Sequence, residues 1–314
     1  LEKAMEEQAG FSGISVVICS YNRQKFIGKA LDCLAEQTLP PDQFEIVIVD
    51  NNSTDQTADI SRAFIQNHPS VRARYFLEKQ KGLSFARNRG LQEALFPIIT
   101  YIDDDAEAVP AFLETILRFM QAHPKAVGVG GKIIPKYSES EEPAWMSSYL
   151  SGFVGRLDYG DKPQRFQQPA MKYPAGCNMT YTAAVLKEVG GFNNQLTFRS
   201  DDKHIYYVVS KVSREVYYLP DAVVYHNIDN ARLQLDSFRK LFLKTGNEEK
   251  IRVRMEEGAG GWWKKLLEII FKAGAALGLY GLYILKGQGI RGRYVFLSQW
   301  YTLKGFLKKN VFVR

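Results

Sequence analysis

Over residues 14–134 the apolar residues fall into two kinds of run that alternate. ISVVICS (14–20), FEIVIVD (44–50) and PIITYID (97–103) are nearly continuous, with no polar face. That is the pattern of strands buried on both sides. VRARYFLE (71–78) alternates and AVGVGGKII (126–134) is again apolar, and both predict further strands. Between them, KFIGKALDCLAEQ (25–37), DQTADISRAFIQNH (55–68), LSFARNRGLQEAL (83–95) and PAFLETILRFMQAH (110–123) space their apolar residues at helical intervals. The β-α order predicts a doubly wound, mostly parallel, Rossmann-like α/β sheet.

Such sheets bind ligands beyond the carboxyl ends of their strands. The polar clusters fall at those ends: CSYNR after the first strand, DNNSTD after the second, and Asp103, Asp104 and Asp105 after the fourth. Three clusters at three strand ends predict one crevice. Ser53, Thr54 and Asp55 are also placed to cap the following helix. Adjacent carboxylates repel, and burial raises the cost. A divalent cation reverses that balance. Hard oxygen ligands suit magnesium or manganese, and magnesium is typically held by one or two carboxylates plus substrate phosphates. An acidic turn at the start of the 110–123 helix accounts for the same triplet without a metal.

Composition narrows the class. The chain has 314 residues, 46% of them hydrophobic, enough for one large core or two small ones. Its cysteines, Cys19, Cys33 and Cys177, form no CxxC pair and no metal-ligand spacing, which fits a reducing compartment. NNST and NMT are glycosylation sequons near the expected site, where a glycan would block it. LEKAMEEQAG at the start lacks the apolar core of a signal peptide. These features lead to the expectation of a cytoplasmic chain. The net charge of +7 is uneven: residues 231–314 hold 17 Lys+Arg against 6 Asp+Glu, and residues 1–230 hold 24 against 28.

VVICSYNR, VDNNSTD, GLSFARNRG and YIDDDA, followed by GCNMTYTAAVLKEVGGF and PDAVVYH, resemble in order and spacing the family 2 glycosyltransferases of the GT-A fold. The resemblance covers about residues 13–228. It implies an inverting transfer of a sugar from a nucleotide-diphospho-sugar, UDP-linked by expectation, to a hydroxyl of a glycan or lipid-linked glycan. It implies Ser20, Tyr21, Asn22 and Arg23 along the base and ribose, with Asn52 in the same donor region and Asp50 accepting from the base. Arg87 would neutralise the base edge or the diphosphate. The family's D-x-D maps to Asp103 and Asp105, as donor and metal ligands, with Asp104 at the variable position. Mn2+ or Mg2+ is the implied cofactor. Gly176 and Asn178 would line the sugar pocket, and Cys177 between them reads as packing. No GxxxxGK[ST] and no early GxGxxG occurs.

An inverting transfer needs a base for the acceptor hydroxyl. Where relatives carry Glu-Asp, this chain has Asp201-Asp202, and the second maps to the base, making Asp202 the candidate. Either residue also suits the N-cap of a helix from about Lys203. His226 is a candidate third metal ligand, or a strand-end histidine bonded to backbone. The segment 135–170 interrupts the α/β rhythm, and Trp145 within it is expected near the acceptor or as an anchor to the core. No QxxRW occurs, which favours single addition over polymerisation.

Residues 262–277, WWKKLLEIIFKAGAAL, form an amphipathic helix with Trp263, Leu266, Leu267, Ile270, Phe271 and Leu277 on one side. The run 266–285 approaches spanning length, but Glu268, Lys272 and the glycines oppose a span. Peripheral membrane contact through 262–309, at the cytosolic face, is one reading. A helical cap on the body is the other. No nucleic-acid motif accompanies the charge. The expected domains are an N-terminal extension (1–12), a GT-A domain (13–230, with donor half 13–134 and acceptor/base half 135–230) and a basic, mostly helical C-terminal region (231–314). A nucleotidyltransferase and a non-catalytic nucleotide-sugar-binding protein are the competing classes.

Overall fold

The computed structural model describes residues 11–137, 141–166, 172–196 and 200–308. Most of the expected N-terminal extension therefore lies outside the described residues, as does the last residue of 262–309. Two units are distinguished. The first comprises Leu1–Pro135, Gly155–Thr197 and Asp201–Asn227, and the second Lys136–Val154, Phe198–Ser200 and Ile228–Arg314. Residues 136–154, expected with the acceptor/base half, belong to the second unit.

In the first unit, β1 (Ile14–Ser20), β2 (Phe44–Asp50), β3 (Ala73–Leu77) and β4 (Ile98–Asp103) pair in parallel in the order β3-β2-β1-β4. Every residue of β2 is buried, and of β1 all but Cys19, as their unbroken apolar runs require. Each fully buried Val or Ile contributes about 1.5–3 kcal/mol. The crossover helices are α1 (Ile27–Ala35), α2 (Thr57–Asn67) and α3 (Leu83–Glu93). Gly90 lets α3 press onto β1, since a Cβ there would lie 2.3 Å from Val17 Cγ1.

The mostly parallel expectation holds only for these four strands. After β4 come the short β5 (Ala106–Ala108), α4 (Phe112–Ala122), β6 (Gly128–Tyr137), the two-residue β7 (Gln164–Arg165), β8 (Met179–Thr182), α5 (Ala183–Glu188), α6 (Asp201–Val212) and β9 (Val216–Ile228). The sheet continues β4-β8-β6-β9-β5. The β4–β8, β6–β8, β5–β9 and β7–β9 pairs are antiparallel. Long segments rather than single helices join these strands, so nothing imposes the parallel crossover.

The second unit holds α7 (Asn230–Leu233), α8 (Leu235–Leu285) and α9 (Gly289–Leu307). By length and a mean hydropathy of 1.4 over one window, α8 passes as a membrane span. It is not one rod. Gly258 has φ 69° and ψ −155°, outside the helical region. Lys265 Nζ lies 3.5 Å from Glu249 Oε2, although sixteen residues of straight helix would separate them by about 24 Å. The chain thus folds back at Gly258, where glycine accommodates the positive φ. After Gly287, also at positive φ, α9 returns antiparallel, with Phe306 stacked on Trp262 and Gly292 against Tyr280.

Candidate active site

The parallel register brings the three polar clusters together. Ser20 pairs with Asp50, and Cys19 with Asp103, so the ends of β1, β2 and β4 lie side by side. The loops after β1 and β2 interlock. Asn22 N donates to Ser53 Oγ (3.0 Å), Thr54 N to Asn22 Oδ1 (2.8 Å) and Arg23 N to Thr57 Oγ1 (3.0 Å). Asn22 and Asn52 both adopt positive φ, and Tyr21 is exposed. Asp55, one residue before the N-cap Gln56, accepts from Thr57 N, the first residue of α2, at 3.0 Å.

Asp50 is buried and accepts from Ser53 N (2.8 Å) and from Tyr75 OH (2.7 Å). Burial, then the Asp50 bond, push the Tyr75 phenol up to about 12. Both carboxylate oxygens are thus engaged before any base arrives. Tyr75 and Asn51 were not singled out in the sequence. Asn51 holds the loop into α3 by donating to Glu78 O (3.2 Å) and Gln80 O (2.6 Å) and accepting from Gly82 N (2.8 Å). An Asn beside a strand-end Asp was the available signal for Asn51, and the β2–β3 pairing, invisible in sequence, was the one for Tyr75.

The triplet divides its partners. Asp103 Oδ1 lies 3.6 Å from Arg87 Nη2. Arg23 spans the other two, with Nε 3.5 Å from Asp104 Oδ1 and Nη2 3.5 Å from Asp105 Oδ2. Burial and the neighbouring Asp105 charge raise the Asp104 carboxyl to about 8. The β5–β9 pairing sets Ala106 opposite His226 and so delivers His226 to Asp105, Nε2 to Oδ1 at 3.3 Å. Asn227 N donates to Asp105 O at 2.8 Å. Gly155, at φ +69°, packs against the imidazole, since a Cβ would lie 2.8 Å from His226 Nδ1.

The donor set suits a hard divalent cation. Adjacent ligands about 2.1 Å from an octahedral ion stand about 3 Å apart, close to the Asp105–His226 separation. Among the described residues no three His, Cys, Asp or Glu side chains cage an ion by themselves. That suits an ion completed by substrate phosphate. Asp103, Asp105 and His226 do not form a closed trio.

Arg87 differs from expectation. It is 3% exposed and donates to Asp201 through Nη1 and to Gly176 O through Nη2 (3.2 Å), with Phe192 beneath at 5.6 Å. Burial opposes its charge, and Asp201 and Asp103 outweigh that, raising its pKa. It braces the triplet to α6, its guanidinium shared among Asp201, Asp103 and Gly176. Asp201 is buried, and burial raises its pKa against the pull of Arg87. Asp202 is half-buried, accepting from Gly176 N (3.0 Å) and Lys203 N (2.7 Å), so of the pair it is the one accessible to an acceptor. Gly176 lies between Arg87 and Asp202, and a Cβ there would meet Arg87 Nη2 at 2.5 Å.

Two of the expected residues are engaged in packing and bracing the fold. Asn178 is 1% exposed, and its amide donates to Ala222 O (2.9 Å) and Lys132 O (3.2 Å). It ties the start of β8 to its neighbours. Trp145 is buried in the second unit, stacked on Tyr294 at 4.4 Å and edge-on to Phe153 and Phe238. It is the anchor of its segment, not a platform for an acceptor sugar. Cys177 is buried in the core of the first unit.

The sequence profile of glycosyl transferase family 2 matches residues 15–190. The glucosyl-dolichyl phosphate glucuronosyltransferase of Haloferax volcanii is 24% identical over 239 residues, 71% of this chain and 72% of that one. A dolichyl N-acetyl-alpha-D-glucosaminyl phosphate 3-beta-D-2,3-diacetamido-2,3-dideoxy-beta-D-glucuronosyltransferase of Methanococcus voltae is 31% identical over 133 residues, 40% of each chain. Among solved structures, the mannosyltransferase PcManGT of Pyrobaculum calidifontis, in complex with GDP-Man and Mn2+, superposes with a TM-score of 0.61 at 17% identity, covering 94% of this chain and 88% of that one. Staphylococcus aureus TarS 1–349 with UDP superposes with a TM-score of 0.56 at 17% identity, covering 93% and 90%.

Proposed function

The chain belongs to glycosyltransferase family 2, and on that premise we propose that it is a metal-assisted, inverting enzyme using a UDP-linked sugar, with a lipid-linked glycan as acceptor at the cytosolic face of a membrane. One observation carries the reading: Asp103–Asp105 sit beside the ends of β1 and β2, and Asp105 meets His226. Asp103, Asp104, Asp105, Asp201 and Asp202 face two arginines, Arg23 and Arg87, in this region. A nucleoside diphosphate entering such a site meets excess negative charge unless a cation enters with it.

Asp103 and Asp105, with His226, are the residues to hold Mn2+ or Mg2+. Such an ion neutralises the diphosphate as leaving group. The loops carrying Ser20, Tyr21, Asn22 and Asn52 border the nucleoside, with Asp50 held in place by Tyr75. Asp202 takes the proton of the acceptor hydroxyl as its oxygen bonds to the anomeric carbon. The bond from that carbon to the diphosphate breaks, the electron pair leaving with the nucleoside diphosphate, and configuration inverts. Arg87 and Gly176 fix the approach of Asp202 to the donor carboxylates. The metal and nucleotides bound by the two structural relatives support the donor class, and the dolichyl-linked substrates of the archaeal relatives support the acceptor class.

The test is donor turnover. UDP-, GDP- and dTDP-sugars are incubated with the protein and Mn2+ or EDTA, and free nucleoside diphosphate is measured. Release from one UDP-sugar, lost in EDTA and in Asp105→Ala, is the expected result. No release and no metal-dependent nucleotide binding overturn the reading.

A further inference from the structure

The helix of residues 259–285 has two apolar faces. Leu266, Ile269 and Ala276 are buried within the second unit, Leu266 and Ile269 in a cluster with Phe306. That half packs on α9 within the same unit. At 100° per residue, Trp263, Leu267, Phe271, Leu277, Leu282 and Leu285 form a separate stripe beside it. All of them are exposed, Phe271 by 76% and Leu285 by 85%. Gly274, Gly278 and Gly281 lie along the same stripe, with nothing within 4 Å of a built Cβ. Lys264 and Lys286 follow its far edge, away from the buried face, whereas Lys272 lies further round, paired with Glu268. Contiguous exposed apolar surface of this extent marks a contact site.

We infer that this stripe is a docking surface for an anionic lipid bilayer, on which the helix lies in the plane of the interface without crossing it. Charge complementarity selects the occupant. The lysines border the stripe where headgroups would lie, and residues 231–314 hold 17 Lys+Arg against 6 Asp+Glu. Trp263 at one end suits the headgroup level. Charge opposes a span: the uncharged run 273–285 covers about 20 Å of helix, against about 30 Å of hydrocarbon, so a crossing would have to take in Glu268 and Lys272. The buried face is already committed to protein, which leaves one side for lipid. The inference rests on the membrane-face reading proposed above and adds to it the surface, its orientation and its preference for anionic lipid.

The test is co-sedimentation of the full chain with phosphatidylcholine vesicles, alone and with about one-third phosphatidylglycerol. The wild type binds the anionic vesicles. Phe271→Glu/Leu285→Glu, both exposed sites, loses about tenfold or more in partitioning. Lys264→Gln/Lys286→Gln loses about fivefold per residue, and added salt weakens the wild type alike. Circular dichroism and metal-dependent nucleotide binding stay unchanged in both variants. Equal binding by Phe271→Glu/Leu285→Glu, or no binding by the wild type, overturns the inference. So does a lipid-free dimer that these substitutions dissolve, which would make a second copy the occupant. Resistance to extraction by alkaline carbonate overturns the in-plane orientation. Donor turnover without vesicle binding sinks the docking surface alone, whereas vesicle binding with neither donor turnover nor metal-dependent nucleotide binding sinks the metal-assisted donor reading and leaves the surface standing.

Discussion

Replacing Arg87 by Met tests the brace between the acidic triplet and α6. Arg87 and Asp201 are each 3% exposed and bonded to each other. Removing the guanidinium leaves a carboxylate buried without its counter-charge, at a cost of about 3–5 kcal/mol. In a unit of roughly 200 residues that lowers Tm by about 10 °C. The double variant Arg87→Met/Asp201→Leu leaves no buried charge stranded at position 201, Asp103 being 39% exposed, and recovers most of the loss, keeping a deficit of about 1 kcal/mol for the bond to Gly176 O. The cycle over wild type, both singles and the double, followed by thermal and urea unfolding, should return a coupling of about 2 kcal/mol or more. pH supplies a second readout. Burial raises the Asp201 carboxyl even with Arg87 present, and more so without it. A raised carboxyl favours the fold below the unfolded pKa of about 4 and loses that contribution as pH rises through the folded one. The Arg87→Met deficit therefore grows as pH rises above about 4. The reasoning fails if Arg87→Met unfolds with the wild type, or if the double variant falls by the sum of the singles.

The Tyr75 phenol, pushed up to about 12, loses the fold stability as pH rises from about 10 through 12. Tyr75→Phe should flatten that alkaline decline and remove one phenol from the ultraviolet titration in that range; an unchanged titration refutes the assignment. Gly155→Ala costs about 1–2 kcal/mol for its positive φ and pushes on the His226 ring. Its metal-dependent nucleotide affinity should drop by about tenfold, and an affinity equal to wild type would separate His226 from the metal. Trp145→Ala loses about 3–5 kcal/mol through the aromatic cluster of the second unit, with the acceptor KM unchanged. A raised KM at full stability would return Trp145 to the sugar.

The parallel half of the sheet was legible because a strand buried on both faces has an unambiguous pattern. ISVVICS and FEIVIVD coincide with β1 and β2, and register alone then brings Ser20, Asp50 and Asp103 together. The antiparallel half was not. Ala106 and His226 are joined by pairing across 120 residues, and no local period encodes such a register. The chemistry of His226 was visible as a histidine after an apolar run, whereas its arrival at Asp105 was not. Arg87 marks the same limit: its motif located it near the site, but only the fold shows its charge shared between Asp201 and Asp103.

The C-terminal helix shows why a periodic pattern can support two opposed readings at once. A hydrophobic stripe reports how wide an apolar face is and where it points; it carries no information about what covers it. Here the stripe is broader than one neighbour can bury. Leu266 and Ile269 go inward, while Leu267, Ile270 and Phe271, one or two residues along, remain exposed. Packing and surface contact therefore divide the face instead of competing for it. The reversal at Gly258 parts residues 235–257 from residues 259–285 and folds them side by side, while the apolar stretch long enough to span lies wholly after it. Removing that reversal would be needed before residues 235–285 could form one continuous rod.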